Sequence, residues 1–292
     1  MISASLVKEL REKTGAGMLD CKKALEETNG NINEAADWLR EKGISKAAKK
    51  ADRIAAEGIA AIKIDGNTAV IVEVNSETDF VAKNEEFKAM VNEILDVIIK
   101  GKVETVEDVL SLPSSEGTVE SLIVNKTAKI GEKLSFRRFD KIIKKDSEAF
   151  GDYIHMGGKI AVLTVLDNTS ASIAKEVAMH AAAMRPTYVK SSDIPTDELE
   201  KEKGIMKEQL INEGKPADKL EGILVGKVKK YYEEVCLEEQ IFVKSENKET
   251  VGKYVSANGG TIQTMIRYEV GEGMEKREDN FAEEVAAQLE GK

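Results

Sequence analysis

The chain has 292 residues, 41% of them hydrophobic, long and apolar enough for two compact domains with a sizeable core. Asp and Glu number 53 against 43 Lys and Arg, a formal charge of −10, which argues against nonspecific nucleic-acid binding because a phosphate backbone has to be met by a basic face. Cys21 and Cys236 form no disulfide framework or C-x-x-C half-site, no signal-like leader opens the chain and no apolar run reaches membrane length, so the expectation is a soluble protein of a reducing, cytoplasmic setting.

Residues 3–42 read as three short helices. Leu6, Leu10, Leu19, Ala24 and Leu25 recur at helical spacing, and the "GAG" at 15–17 and "NGN" at 29–31 interrupt them. Asn31 with Glu34 three residues on looks like an N-cap, and Ala35, Trp38 and Leu39 supply an apolar face. The stretch "ISKAAKKADR", 44–53, reads as a charged, alanine-rich connector compatible with a helix, a solvated linker in preference to a local basic patch. From Ala55 the period changes to that of a β-hairpin turning at "DGN", 65–67, and helical spacing returns through Phe87, Met90, Val91, Ile94, Leu95 and Ile98. Next, "LSLPSSEGTVESLIVNKTAKIGEKLSFRRF", 110–139, reads as a loop, a helix and a strand.

The strand–turn–helix pattern from Gly66 through Ile94 recurs weakly at 157–184, which points to two related α+β subdomains, each sheet burying one face under helices. Between Asp197 and Glu234 strand signals vanish. Leu220, Leu224, Val228, Tyr231 and Val235 step by three and four, Leu199, Met206 and Leu210 less regularly, and "NEGKP" separates the runs, so a helical hairpin is expected. "TIQTMIRYEVGEG" returns to a strand, and "NFAEEVAAQLEGK", 280–292, reads as a final amphipathic helix.

Enzyme signatures are weak. "GILVGKV", 222–228, has the wrong glycine spacing for a phosphate loop and Val228 where a hydroxyl would hold Mg²⁺; no G-x-S-x-G or H-E-x-x-H is present. His155 and His180 have no partner that sequence identifies, and Cys21 reads as a small apolar residue. The pair Asp79-Phe80, directly after a buried-strand pattern, carries two readings. Phe80 caps the core beneath the sheet, or it protrudes as a wedge into a partner's pocket with Asp79 beside it for a polar or cationic group.

The strings "TGAGMLDCKKAL" and "TDFVAKNEEF", with "MHAAAMRP" and "IRYEVGEGMEK" further on, give the whole chain a resemblance to the bacterial elongation factor Ts family. That resemblance implies an α+β fold: an N-terminal three-helix ubiquitin-associated-like module, a core of two related α+β subdomains with antiparallel sheets, an inserted helical coiled-coil hairpin and a C-terminal helix. It places the module at 1–43, a linker at 44–54, the core N-subdomain at 55–140, the core C-subdomain at 141–270 with its hairpin near 196–235, and a C-terminal helical module at 271–292.

By function the resemblance implies a guanine-nucleotide exchange factor for elongation factor Tu, without covalent chemistry, cofactor, metal or nucleotide of its own, and without nucleic-acid or membrane partners. The T-D-F-V string, here Thr78, Asp79, Phe80 and Val81, is then the wedge toward the Mg²⁺ and GDP site of the partner. Arg11, Met18 and Leu19 fall on the module's contact surface for a helix of the GTPase, Leu19 where relatives often carry methionine, and His180 falls on a contact position of the second subdomain. Pairing through the core, including a two-plus-two complex, and action as a monomer are both open. A generic interaction scaffold would instead leave Phe80 dispensable, and an enzyme would show turnover dependent on a histidine or carboxylate cluster.

Overall fold

The structure is a computed structural model that describes residues 2–275 apart from Gly15 and Gly17; the helix expected over 280–292 lies outside the described residues. The chain divides into two compact units, one built from Met1–Ala60, Val72–Phe139 and the chain from Glu269 on, the other from Ala61–Ile71 and Asp140–Tyr268.

The first unit opens with helices α1 (Ala4–Thr14), α2 (Met18–Glu27) and α3 (Ile32–Ala48). Val7, Leu10, Cys21, Ala24, Leu25 and Ala35 form their shared core, with Trp38 and Leu39 packed at its edge. Asn31 does cap α3, its Oδ1 accepting from the N–H of Asn33 (3.1 Å) and Glu34 (3.3 Å) while Glu34 accepts from its Nδ2 (2.8 Å). The helix runs on past Gly43 into the charged stretch and ends at Ala48, short of Arg53.

Strands β1 (Glu57–Asp65) and β2 (Thr68–Ser76) follow, joined at Gly66, whose φ of 56° suits the tight turn. After them come α4 (Asp79–Ala82), α5 (Glu85–Lys100), α6 (Val106–Ser111), the two-residue strands β3 (Pro113–Ser114) and β4 (Gly117–Thr118), α7 (Val119–Ile130) and β5 (Ser135–Ile143). The three long strands form one sheet in the order β1-β2-β5, and β3 pairs antiparallel with β4. In α5 the whole predicted stripe, Phe87, Met90, Val91, Ile94, Leu95 and Ile98, is buried, and α7 packs against both α5 and α3.

The central strand β2 carries a fully buried carboxylate, Glu73. Its Oε1 accepts from Arg137 Nη1 (2.8 Å), Asn75 Nδ2 (3.1 Å) and the Gly271 N–H (2.9 Å), and its Oε2 accepts from Arg138 Nε (2.6 Å). The same arginines donate to the carbonyls of Glu272 (2.5 Å) and Glu269 (3.3 Å). A buried charge has to be paired and hydrogen-bonded to persist, and here the pairing fixes residues 269–272 against the sheet.

In the second unit β6 (Glu148–His155), β7 (Ile160–Asp167) and β8 (Thr261–Glu269) make a sheet in the order β6-β7-β8, with β6 and β7 antiparallel. Helix α8 (Ala171–Met184) lies on β6 and β7, and α11 (Val251–Ala257) joins it over a core that includes Val162, Leu166, Val177, Leu237, Phe242 and Val255. Helices α9 (Thr196–Asn212) and α10 (Leu220–Val235) pack on each other. Leu224, Val228, Tyr231 and Val235 are only half-buried and Val225 is exposed, as expected where one helix covers another with no third layer. Both Tyr188 (2.6 Å) and Tyr231 (3.1 Å) donate to Glu198, tying α9 to α10. The result is a mixed α/β protein with antiparallel pairing, and among the described residues no helix is long and apolar enough to cross a membrane.

Candidate functional site

The site begins where β2 ends. Thr78 is the N-cap of the single turn α4, with extended backbone (φ −127°, ψ 158°) and a hydroxyl that accepts from the Val81 N–H. Val81 and Ala82 face inward and are buried, so the same turn drives Phe80 outward, where it is 79% exposed. Phe80 therefore does not cap the core. Asn84 then caps α5, its Oδ1 accepting from the N–H of Glu86 (2.8 Å) and Phe87 (3.3 Å), so α4 is braced by a capped helix on its far side.

Asp79 pairs with Lys83 at 2.7 Å, one turn on, and the Lys83 ammonium lies 5.8 Å from the Phe80 ring centroid. The pair is exposed and contributes little to stability. Its effect is local: it orders a carboxylate, a cation and an aromatic ring on one turn.

The base of the turn is held by a segment distant in the chain. Glu132, in the turn between α7 and β5, accepts from the Thr78 N–H (2.9 Å) and from its hydroxyl (2.7 Å). In the neighbouring register Glu77 accepts from the Lys133 N–H (2.5 Å) and from Arg53 (3.2 Å), and Ser76 Oγ donates to the Thr78 carbonyl (2.9 Å). Sequence reasoning missed Glu77 and Glu132. Lys133 lies 56 residues from Glu77 and Thr78 lies 54 from Glu132, and nothing local in "KIGEK" signals the contact. Lys83 was within reach, because Asp and Lys four apart on a helical turn are neighbours.

The other predicted residues fall in different places. Arg11 is exposed on α1, and Met18 (55%) and Leu19 (85%) are exposed at the start of α2, in front of the module's core rather than in it. His180 belongs to the second unit and is fully buried in α8. Its Nε2 lies 3.0 Å from Gln240 Oε1 and its Nδ1 accepts from the Val243 N–H (3.2 Å), which assigns the ring proton to Nε2. Burial holds its pKa below the usual histidine value despite the Gln240 bond.

Neither cysteine is built for nucleophilic work. Both are buried, and burial pushes the Cys236 thiol up to about 11 and raises that of Cys21. Among the described residues no group of three or more His, Cys, Asp or Glu side chains is placed to hold a metal ion. What the first unit offers is a projecting aromatic–carboxylate–lysine turn on a braced base, an arrangement suited to insertion into another macromolecule. A family model described as elongation factor TS matches residues 77–272, a span that starts one residue before Thr78 and includes Phe80, Glu132 and His180.

Proposed function

The chain belongs to the elongation factor Ts family of translation elongation factors, and on that premise we propose that it binds elongation factor Tu and accelerates release of GDP and Mg²⁺ by inserting the turn that carries Asp79 and Phe80. The observation that carries this reading is the exposure of Phe80 on a turn whose two ends are capped and hydrogen-bonded.

A GTPase of this kind grips GDP through backbone N–H groups of its phosphate loop, a lysine and coordinated Mg²⁺. Displacing the segments around the phosphates and metal loosens that grip without competing for the base. Burying one phenylalanine supplies on the order of 2 kcal/mol, worth somewhat more than tenfold in an equilibrium constant. A broad surface has to supply the rest. In this reading Arg11, Met18 and Leu19 give the N-terminal module's share, the apolar pair through contact area and the arginine through charge. His180, enclosed in α8, contributes by fixing the Val243 backbone, whose side chain and that of Ile241 are exposed. Linkage requires that GDP weaken binding of the exchange factor by the same factor by which the exchange factor weakens GDP.

The test is stopped-flow release of a fluorescent GDP analogue from elongation factor Tu, with the wild-type chain and with Phe80→Ala checked for folding by circular dichroism. Acceleration by wild type that is lost in the folded variant supports the reading. Acceleration retained in the variant removes Phe80 from the mechanism, and no acceleration by wild type rejects exchange activity.

A further inference from the structure

We propose that Glu132 is a positioning residue for exchange, holding Thr78 by both its N–H and its hydroxyl and thereby aiming Phe80. The inference rests on the proposed role of Phe80.

The carboxylate meets two donors of one residue, at 2.9 Å from nitrogen and 2.7 Å from oxygen. Charge-assisted, two-point bonds of this kind fix orientation as well as distance. The Thr78 hydroxyl gives its proton to Glu132, so its oxygen lone pair is turned toward the Val81 N–H it caps. One carboxylate thus sets the φ/ψ of the N-cap and the rotor of the capping group together. Since Phe80 is the second residue of a four-residue helix, no longer helix averages out an error at the cap, and a tilt of Thr78 is passed directly to the ring.

Glu132 is itself held. Gly131 closes α7 in the left-handed conformation (φ 92°), the Leu134 N–H donates to the buried Thr127 hydroxyl (3.3 Å), and the Leu134 side chain is buried. The Glu77–Lys133 bond alongside makes the contact reciprocal: each segment contributes one carboxylate to the other. A surface ion pair would serve solubility or little else, but Glu132 has the uncharged Thr78 as its partner in this contact. It is spent on the backbone and side chain of one residue, two positions before the aromatic tip.

The experiment measures GDP-analogue release from elongation factor Tu as a function of exchange-factor concentration for wild type, Phe80→Ala, Glu132→Ala, Glu132→Gln and the Phe80→Ala/Glu132→Ala double variant. Amide hydrogen exchange of Thr78 and Val81 is read on the free proteins. Expected are faster exchange of those two amides in Glu132→Ala, a saturating release rate lowered about tenfold, partial rescue by Glu132→Gln, which keeps one acceptor, and a Phe80→Ala effect much smaller in the Glu132→Ala background than alone. A loss confined to stability would multiply with the Phe80 effect instead. Wild-type rates in Glu132→Ala, or independent effects in the double variant, overturn the role of Glu132 while leaving exchange and Phe80 in place; a Phe80→Ala variant with wild-type rates overturns the Phe80 reading and this one together. If Glu132→Ala fails to fold, Glu132→Gln carries the same comparison.

Discussion

Fully buried His180 and Gln240 face each other at 3.0 Å, and Gln240 passes the contact on through its Nε2 to the carbonyls of Glu234 (2.7 Å) and Met184 (3.3 Å). The chain of bonds ties the C-terminal ends of α8 and α10 to the segment that follows, and it works only with a neutral imidazole, because Nδ1 has to accept from Val243.

This fixes a pH dependence. Burial keeps the His180 pKa below 6.5, so as pH falls through that unfolded-state value the unfolded chain binds a proton that the native chain refuses. Stability from this group is therefore complete above about pH 6.5 and declines below it, with a slope of at most about 1.4 kcal/mol per pH unit. Thermal unfolding of wild type and His180→Ala from pH 7.5 to 5.5 checks it. The variant starts less stable by about 2–3 kcal/mol, for its cavity and the stranded Gln240 and Val243 groups, and the gap narrows toward acid. A gap that stays constant would show that His180 takes up its proton without cost.

Two phenylalanines seven positions apart should behave oppositely. Phe80 is 79% exposed and Phe87 is fully buried in α5. Phe80→Ala is expected to change stability by no more than about 0.5 kcal/mol, and Phe87→Ala to cost about 3–5 kcal/mol. Urea unfolding of the two variants decides it. A Phe80→Ala cost comparable to that of Phe87→Ala would mean that the α4 turn folds back on the core in solution.

How much of this was legible depended on the range of the interaction. The α5 stripe could be read because six apolar residues at helical spacing bury as one face, and the cap of α3 because Asn31 and Glu34 signal to each other over three positions. The seven residues of α11 span two turns, too few for a period to stand out, and strand β6 mixes charge, glycine and aromatics with only a two-residue buried stretch. For His180 the alanines around it were compatible with a packed or a surface ring; what decided was Gln240, 60 residues away. The projecting ring at Phe80 stood as one of two readings, and its brace at Glu132 had no local signal at all.

A close approach of helix to strand gives a further prediction. A Cβ on Gly151 of β6 would sit 2.1 Å from the carbonyl carbon of Ala174 in α8 and 2.2 Å from its oxygen. Backbone cannot yield as a side chain does. Thr164 on β7 marks the same contact, its hydroxyl within reach of the carbonyls of Ala174 (2.9 Å) and Gly151 (3.3 Å). Gly151→Ala has to lift α8 from the sheet, and a cost of about 3 kcal/mol is expected. Gly157→Ala, at φ 65° with nothing within 4 Å, carries only the backbone penalty of about 1 kcal/mol. Chemical denaturation of both variants compares them, and equal costs would remove the packing argument.

Glu73 supplies the last prediction, because so many groups depend on one carboxylate. Burial alone would push its pKa up. The Gly271 N–H, Arg137, Asn75 and the charge of Arg138 more than offset that and hold it below 4.5. The native chain thus releases this proton more readily than the unfolded one, so the stabilisation is present above about pH 4.5 and is lost as pH falls through the lower native value. Removing the carboxylate takes one acceptor each from Arg137, Arg138 and the Gly271 N–H, and Glu73→Ala is expected to cost about 3 kcal/mol, near the low end for a broken buried pair since both arginines are partly solvated and keep their bonds to the carbonyls of Glu272 and Glu269. Glu73→Gln keeps an acceptor for one arginine and costs less. Because the same contacts hold residues 269–272, amide exchange at Gly271 should rise in Glu73→Ala at pH 7 even under conditions where the chain stays folded. An unchanged Gly271 amide in a destabilised Glu73→Ala protein would show that the segment after β8 is held by its packing and not by the buried carboxylate.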